Sequence, residues 1–477
     1  MKSPILSGLY KYAKMQRIPF NAPGHKGKIS MRTKSLSLID LCGSSRNGVD
    51  LRSLTAESED IITKKYGTCR SMYLKGGATS GIYAMLCAYT KRGDKVIIDR
   101  ECHRSVLGAL TILGLEPVFV KRSYNYHYCV CGGVNPEAIE KAIISNREAK
   151  AVLITSPTYF GIVSDIKAIS IICKKYGVKL LLDEALGAHF GFCNSLPKPA
   201  VKLGADISTQ SVHKSLGAFG GGALLHIADP QIDFQRVCDT LRMIESSSIS
   251  PSLLCTLENA VFYAFENEDV FERIIAETQK YKKLIAENTP FCWLEGELQG
   301  ADNVFDTDPL RMVLNLSHAK LDGYAVAEYL KNKADIEAES ASENNVVFLV
   351  SIYNSTSEIR KLFHALTNLA KSVESKRVVV DDVVEHTAPG DMDMRLTPES
   401  AFNASGEFVN AEYALERVSK RTIYRMPDEV PIVLPGEKIK NCHLLEISKI
   451  ISANGTVKGL GADNTIEVVS LSDSFGL

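Results

Sequence analysis

The chain has 477 residues, 45% of them hydrophobic, enough to bury a large core and to divide into more than one domain. Its 55 Lys and Arg are nearly cancelled by 56 Asp and Glu, for a net charge of −1, so no broad electrostatic footprint exists for nucleic acid or an anionic membrane. No apolar stretch approaches the ~18 residues that span a bilayer, Met1 to Tyr10 holds no apolar signal core, and the 12 cysteines are scattered, several of them (Cys87, Cys173, Cys255) inside apolar runs as reduced thiols are, so a cytoplasmic protein is expected.

From about residue 60 to 230 short apolar runs alternate with amphipathic stretches. Ser58 to Tyr66 reads as a helix, and Ile82 to Thr90 as another beginning just after a glycine cluster. Lys95 to Asp99 is a short strand, His103 to Leu113 a helix stopped by Gly114, and Pro117 to Val120 a strand. Pro136 to Asn146 is a helix with Asn135 as N-cap and Pro136 at its first position. Ala151 to Ile154 is a strand, Ile166 to Tyr176 a helix stopped by Gly177, and Val178 to Leu182 a strand. A further short run carries Ile207. This alternation predicts a mainly parallel sheet covered on both faces, with ligands collecting beyond the carboxyl ends of the strands. Asp99, Thr155 to Pro157, Asp183 and the pair His213-Lys214 all fall there.

Beyond Asp229-Pro230, residues 232–245 and 252–280 read as long helical stretches. Met312 to Leu316 and Val346 to Ser351 read as strands flanking a helix from Gly323 to Lys333, a smaller α/β unit. From Ser375 onward the chain is acidic (Asp381 to Asp393), then helical around Glu412 to Lys420, then extended near Val430 to Leu434.

The chemistry is concentrated in the alternating region. The run Val178 to Leu182 stops at Asp183-Glu184-Ala185, and the run carrying Ile207 leads into Ser211-Val212-His213-Lys214. A carboxylate at the end of one buried strand and an amine just past another suit a pyridoxal phosphate enzyme: Lys214 forms the Schiff base and Asp183 keeps the pyridine nitrogen protonated. Ala185 is small enough for a ring to lie against it. The turn Gly76-Gly77-Ala78-Thr79-Ser80-Gly81 opens a helix, where backbone N–H groups and the positive helix end bind phosphate. Ser211 adds a hydroxyl. His103, in Cys102-His103-Arg104-Ser105, offers a flat imidazole face to a ring, whereas a histidine in such a place is more often structural; His189 is a weaker candidate. Ser156 to Gly161, with Thr158, shapes the pocket at another strand end. Cys129-Val130-Cys131 lacks the further ligands a metal site needs, so no metal is expected.

Together with Pro23-Gly24-His25-Lys26-Gly27, Ser250-Pro251-Ser252 and Pro435-Gly436-Glu437, these motifs in this order resemble the Orn/Lys/Arg decarboxylase family, fold-type I pyridoxal phosphate enzymes of basic amino acids. The resemblance implies an α/β fold with a large, mainly parallel seven-stranded domain, a small α/β domain and a C-terminal α+β domain. The expected boundaries are 1–50 for an N-terminal segment contributing to dimer and active site, 51–250 for the large cofactor domain, 251–374 for connecting helices and the small domain, and 375–477 for the C-terminal domain.

It further implies catalytic Lys214, Asp183 and His103, with His103 and Ala185 sandwiching the ring. Gly77, Ala78, Thr79, Ser80, Thr158, Ser211 and His213 would complete the cofactor site. A homodimer or higher even oligomer, a small amino acid as substrate, and neither nucleic acid nor membrane as partner are expected. Departures from the family pattern fall at Leu186, at Leu253, at Val49 to Arg52 and at Arg425 to Val430, and leave arginine, lysine and ornithine open as substrates. A basic side chain would need a carboxylate at the far end of the pocket, with Glu399, Glu407 and Glu437 as candidates. Two other readings stay open: another fold-type I activity, such as an aminotransferase using Arg395 or Arg425 or a carbon–carbon lyase, and a divergent homologue that serves a partner without turnover.

Overall fold

A computed structural model describes residues 17–26, 28, 51–247, 250–294, 298–376, 392–426, 429–452 and 455–470. Seven strands build the main sheet: β1 (Arg70–Leu74), β2 (Lys95–Asp99), β3 (Glu116–Val120), β4 (Ala151–Thr155), β5 (Lys179–Asp183), β6 (Ile207–Gln210) and β7 (Ala223–Ile227). Their order across the sheet is β1-β7-β6-β5-β4-β2-β3. The run from β6 to β3 is parallel, and β7 lies antiparallel to both neighbours. The sheet is thus the large, mostly parallel one expected.

Five helices are interleaved or adjoin: α1 (Leu51–Tyr66), α2 (Gly77–Tyr89), α3 (Arg104–Leu113), α4 (Pro136–Ser145) and α5 (Ile166–Tyr176). The central strands β2, β4 and β5 hold continuous apolar runs because both faces are covered, and alternate residues go to opposite sides. Val96, Ile98, Leu153 and Leu181 pack with Ile82, Met85 and Leu110 of α2 and α3. Ile97, Val152, Leu180 and Leu182 pack with Ile139, Ile143 and Ile169 of α4 and α5. The helix boundaries follow local chemistry. The Asn135 side chain accepts the N–H groups of Glu137 and Ala138 ahead of Pro136, while Gly114 and Gly177 close α3 and α5 in left-handed conformation.

A second sheet takes Cys292–Trp293, Arg311–Asn315, Asn345–Leu349 and Ser340–Ala341 in that order, all antiparallel. The strand Ile18–Phe20 pairs in parallel with Ile336–Ala338 beside it, and Phe20 meets the Phe348 ring edge-on at 6.1 Å. C-terminal residues form a two-stranded pair (Gly406–Val409 with Ile466–Val469) and a three-stranded sheet around Ile423–Arg425, with their own core of Ile423, Val433, Ile447 and Val468. Among the described residues no helix is long and apolar enough to cross a membrane.

Three local expectations are corrected. The stretch 252–280 is two helices, Pro251–Glu266 and Glu268–Asn288, because Asn267 leaves helical geometry at φ −133° and ψ 52°. The helix expected at 412–420 is a single turn, Ala411–Ala414; Glu416 takes φ +65°, and Val418 and Ser419 bridge to Lys438 and Val468 instead. Strands β1 and β7 were not read as strands at all. The acidic stretch expected from Asp381 lies outside the described residues as far as position 391.

Asp99, at the end of β2, proves to be a framework residue rather than a ligand. It is fully enclosed with Arg122, whose Nε donates to its two carboxylate oxygens at 3.0 and 3.1 Å while Nη1 donates to the Gly132 carbonyl at 3.0 Å. A buried ion pair held by this many bonds fixes strand ends relative to one another. The segment Pro23 to Lys26 is fixed just as closely. Gly24 donates its N–H to the His213 carbonyl at 2.8 Å, and a Cβ at Gly24 would lie 2.4 Å from the Leu216 carbonyl oxygen, so only glycine fits. Lys26 Nζ donates to the carbonyls of Asn21 (2.6 Å) and Leu349 (2.9 Å).

Burial pushes the Lys26 amine down from 10.5 to about 7, with Glu339 opposing and Arg311 adding to the shift. Between those two values the unfolded chain keeps a proton that the native side chain has lost, so this group makes stability rise with pH across that window. Urea unfolding at about pH 7 and about pH 9.5 should therefore show wild type gaining stability relative to Lys26→Met at the higher pH; a wild-type-to-variant difference that does not change with pH would contradict this placement.

Candidate active site

The carboxyl ends of β2, β4, β5 and β6 open onto a cavity of about 510 Å³. Residues in and beside the second sheet (Glu339 to Asn345) and of the C-terminal region (Arg425, Met426 and Glu429 to Ile432) complete its walls. Most of the residues singled out in the sequence meet here. Gly77, Ala78, Thr79 and His103 line one side, Thr158, Asp183 and Ala185 the floor, and Ser211, His213 and Lys214 the other side.

Asp183 is 2% exposed and stands in register with Thr155 of β4 and Thr209 of β6, so the sheet itself fixes its height. Its Oδ1 accepts the Ala185 N–H at 3.1 Å. Glu184 points the other way into the protein, accepting the Ala200 N–H (2.8 Å) and the Gln210 amide (2.9 Å), and burial pushes its carboxyl up to about 8. After β6, Ser211 starts the one-turn helix Val212–Ser215, which carries the His-Lys pair. His213 Nδ1 lies 2.9 Å from the Gly222 carbonyl, and burial lowers its pKa. Burial likewise pushes the Lys214 amine down, with the Asp183 carboxylate the main opposing influence. A desolvated amine facing a carboxylate is the electrostatic core of the site.

At the start of α2 no side chain caps the helix, and Gly77 takes φ +71°. The first-turn N–H groups have no acceptors within a helix, and Gly77, Ala78 and Thr79 present that turn at the cavity wall. Ser80 departs from the expectation. Its hydroxyl donates to Glu245 (2.8 Å) and to the Gly77 carbonyl (2.9 Å), and it does not line the cavity. Glu245 also takes the N–H groups of Lys75 and Gly76, one step upstream of the open turn.

His103 takes the structural role the sequence allowed while lining the cavity. Its Nδ1 accepts the Ser105 N–H at 3.2 Å and so caps α3, which leaves Nε2 to donate to Glu429 at 2.8 Å. Arg104 also binds Glu429, whose carboxyl is held down to about 2, chiefly by the His103 hydrogen bond. His189, by contrast, is a buried strut: Nε2 bonds Asp308 at 2.9 Å.

None of the three C-terminal carboxylates proposed for the substrate side chain reaches the cavity. Glu399 pairs with Arg92, Glu407 with Arg417, and Glu437 accepts the Leu434 N–H at 2.9 Å beneath Arg100. The acids that do line it, besides Asp183, are Glu101, Glu339, Glu343, Glu429 and Glu446. No local pattern distinguished them in the sequence, since three parts of the chain supply them.

The donor set fits pyridoxal phosphate. There is an amine to hold it, a carboxylate on the floor, a small residue beside it, and an open helix N-terminus for its phosphate. The buried hydroxyl of Thr155, on the cavity wall, has no hydrogen-bond partner among the described residues and leaves room for one more contact.

Comparisons with known proteins agree with this reading. The chain is 26% identical over 481 residues to the arginine decarboxylase of Bacillus subtilis, covering 98% of this chain and 97% of that one. It is 27% identical over 471 residues to the arginine decarboxylase of Halalkalibacterium halodurans, covering 96% and 95%. Among solved structures, the fold is shared with the lysine decarboxylase of Francisella novicida (TM-score 0.73, 17% identity, 87% of this chain and 72% of that one). It is shared also with the constitutive lysine decarboxylase of E. coli (TM-score 0.70, 18% identity, 98% and 82%) and, more distantly, with a ureidoglycine–glyoxylate aminotransferase of Bacillus subtilis (TM-score 0.59, 14% identity, 76% and 94%). The model of the Orn/Lys/Arg decarboxylase major domain matches residues 3–299. The chain belongs to the Orn/Lys/Arg decarboxylase family, whose members are pyridoxal phosphate-dependent amino acid decarboxylases.

Proposed function

We propose that the protein removes the carboxylate of a basic amino acid, arginine before lysine or ornithine, to give the amine from which polyamines are made, with pyridoxal phosphate held at Lys214. The observation that carries this is the meeting of Lys214, Asp183 and the open turn of α2 in one cavity. The order of substrates rests on the names of the full-length relatives, which are arginine decarboxylases. When bound, pyridoxal phosphate supplies an electron-poor ring that takes up the electron pair left behind as carbon dioxide departs.

Each residue then has a defined task. Lys214 Nζ is the covalent anchor, and its burial favours the neutral amine that can act as a nucleophile. Asp183 would pair with the ring nitrogen and hold a proton there through a charge-assisted bond. The N–H groups of Ala78 and Thr79, with the Ser211 hydroxyl, receive the phosphate. Ala185 and His103 would border the ring, and the Glu429 contact fixes the His103 imidazole in one tautomer and orientation. Thr158 and Leu186 lie on the wall of the same cavity. A homodimer in the cytoplasm belongs to the same proposal.

Cofactor-loaded protein incubated with arginine, lysine and ornithine in turn should release carbon dioxide and the matching amine (agmatine, cadaverine or putrescine) from at least one of them, arginine first. A keto acid in place of carbon dioxide would move the protein to the aminotransferases, and silence with all three would contradict the proposal. Asp183→Asn should fold and bind cofactor yet turn over roughly 10²- to 10³-fold more slowly; an unchanged rate would mean that another group protonates the ring.

A further inference from the structure

The cavity adjoins a recess of about 230 Å³ walled by Glu101, Tyr124 and Tyr126 together with Arg100, Arg122 and Lys121. Glu101 and Tyr124 line both spaces. Glu101 follows β2, which lies two strands from β5, a spacing of about 10 Å between those strands. That places Glu101 to the side of the proposed cofactor site, where the far end of a long side chain would go.

The charges around Glu101 are already committed to other partners. Arg122 is locked to Asp99. Arg100 donates to the carbonyls of Pro431 (2.8 Å) and Ile432 (2.9 Å) and faces Glu437 at 3.6 Å. Arg425 faces Glu446 at 3.7 Å, and Lys121 is engaged as well. The other acids of the cavity are equally taken: Asp183 by the Ala185 N–H, Glu339 by the Ala22 N–H at 2.6 Å, Glu429 by His103 and Arg104, and Glu343 by contacts of its own.

Only the backbone of Glu101 is bonded, its N–H donating to Asp99 Oδ1 at 3.0 Å; among the described residues its carboxylate accepts no hydrogen bond. Burial pushes this carboxyl up, against the pull of Arg100, Arg425 and Arg122, none of which forms an ion pair with it among the described residues. Tyr124 and Tyr126 meet edge-on at 5.1 Å beside it, presenting ring surface of the kind that attracts a cation.

We propose that Glu101, flanked by Tyr124 and Tyr126, receives the distal cation of the substrate, the guanidinium of arginine or the ammonium of lysine or ornithine. This rests on the decarboxylase reading above and names the group that gives it its preference for a basic side chain. Glu101→Gln keeps the shape and removes the charge.

The test compares holoenzyme and variant on the basic amino acid that wild type turns over and on its neutral isostere: citrulline for arginine, 2-aminoheptanoic acid for lysine, norleucine for ornithine. Wild type should bind the cation more tightly than the isostere, and Glu101→Gln should raise KM for the cation by about 10- to 100-fold, abolishing that preference. The value of kcat and the visible absorbance of the loaded cofactor should change little, and Glu101→Asp should restore part of the preference. A preference that survives in Glu101→Gln overturns the role of Glu101 while leaving decarboxylation intact. A wild type that does not distinguish cation from isostere overturns both.

Discussion

The Lys214 amine is stripped of much of its water and lies within electrostatic reach of Asp183, and the fold around it serves to keep the two opposed. An amine in this position is shifted toward its neutral, nucleophilic form, with the carboxylate opposing. A parallel sheet supplies the arrangement without special loops. Its parallel strands end on one side, so residues just past β5 and β6 are neighbours although far apart in sequence. Glu184 and Gln210, bonded at 2.9 Å behind the site, tie the two strand ends together.

The other parts of the molecule close around that pair. The Pro23 to Lys26 turn lies against the Lys214 helix turn with no room for a side chain at Gly24. Its Lys26 reaches the Leu349 carbonyl of the second sheet, so large and small units are joined within a few residues of the proposed anchor. From the C-terminal region Glu429 clasps His103 and Arg104 at the start of α3, and Arg100 reaches the carbonyls of Pro431 and Ile432. A cavity walled by three regions of chain can be re-shaped on its substrate side while the floor built on the sheet stays constant. The departures at Leu186 and Arg425 lie on the cavity wall, whereas Asp183 and Lys214 keep their place on the sheet.

Much of this was legible because local physics and tertiary structure agree there. An apolar run that stops at Asp183, an Asn135-Pro136 start and glycines at 114 and 177 each have one structural meaning, and the structure shows it. Where a residue's partner is distant in sequence, the local pattern misled. The Ser80 hydroxyl looked free for a phosphate, but Glu245 claims it. Strand β7 was missed because His226 breaks its apolar pattern; in the fold that imidazole is buried between Ser71 (2.8 Å) and Gln210 (3.1 Å). The acids of the cavity wall were missed for the same reason. Glu429 and Glu101 look like ordinary surface charges until the C-terminal region and the end of β2 are brought together.

The central claim, that Lys214 is the covalent anchor of the cofactor, is open to direct chemical reading. Protein loaded with pyridoxal phosphate, reduced with borohydride and digested should carry the cofactor's mass on the peptide containing Lys214 and on no other. Label on Lys26, the other buried amine nearby, or recovery of every lysine peptide unmodified, would contradict the account.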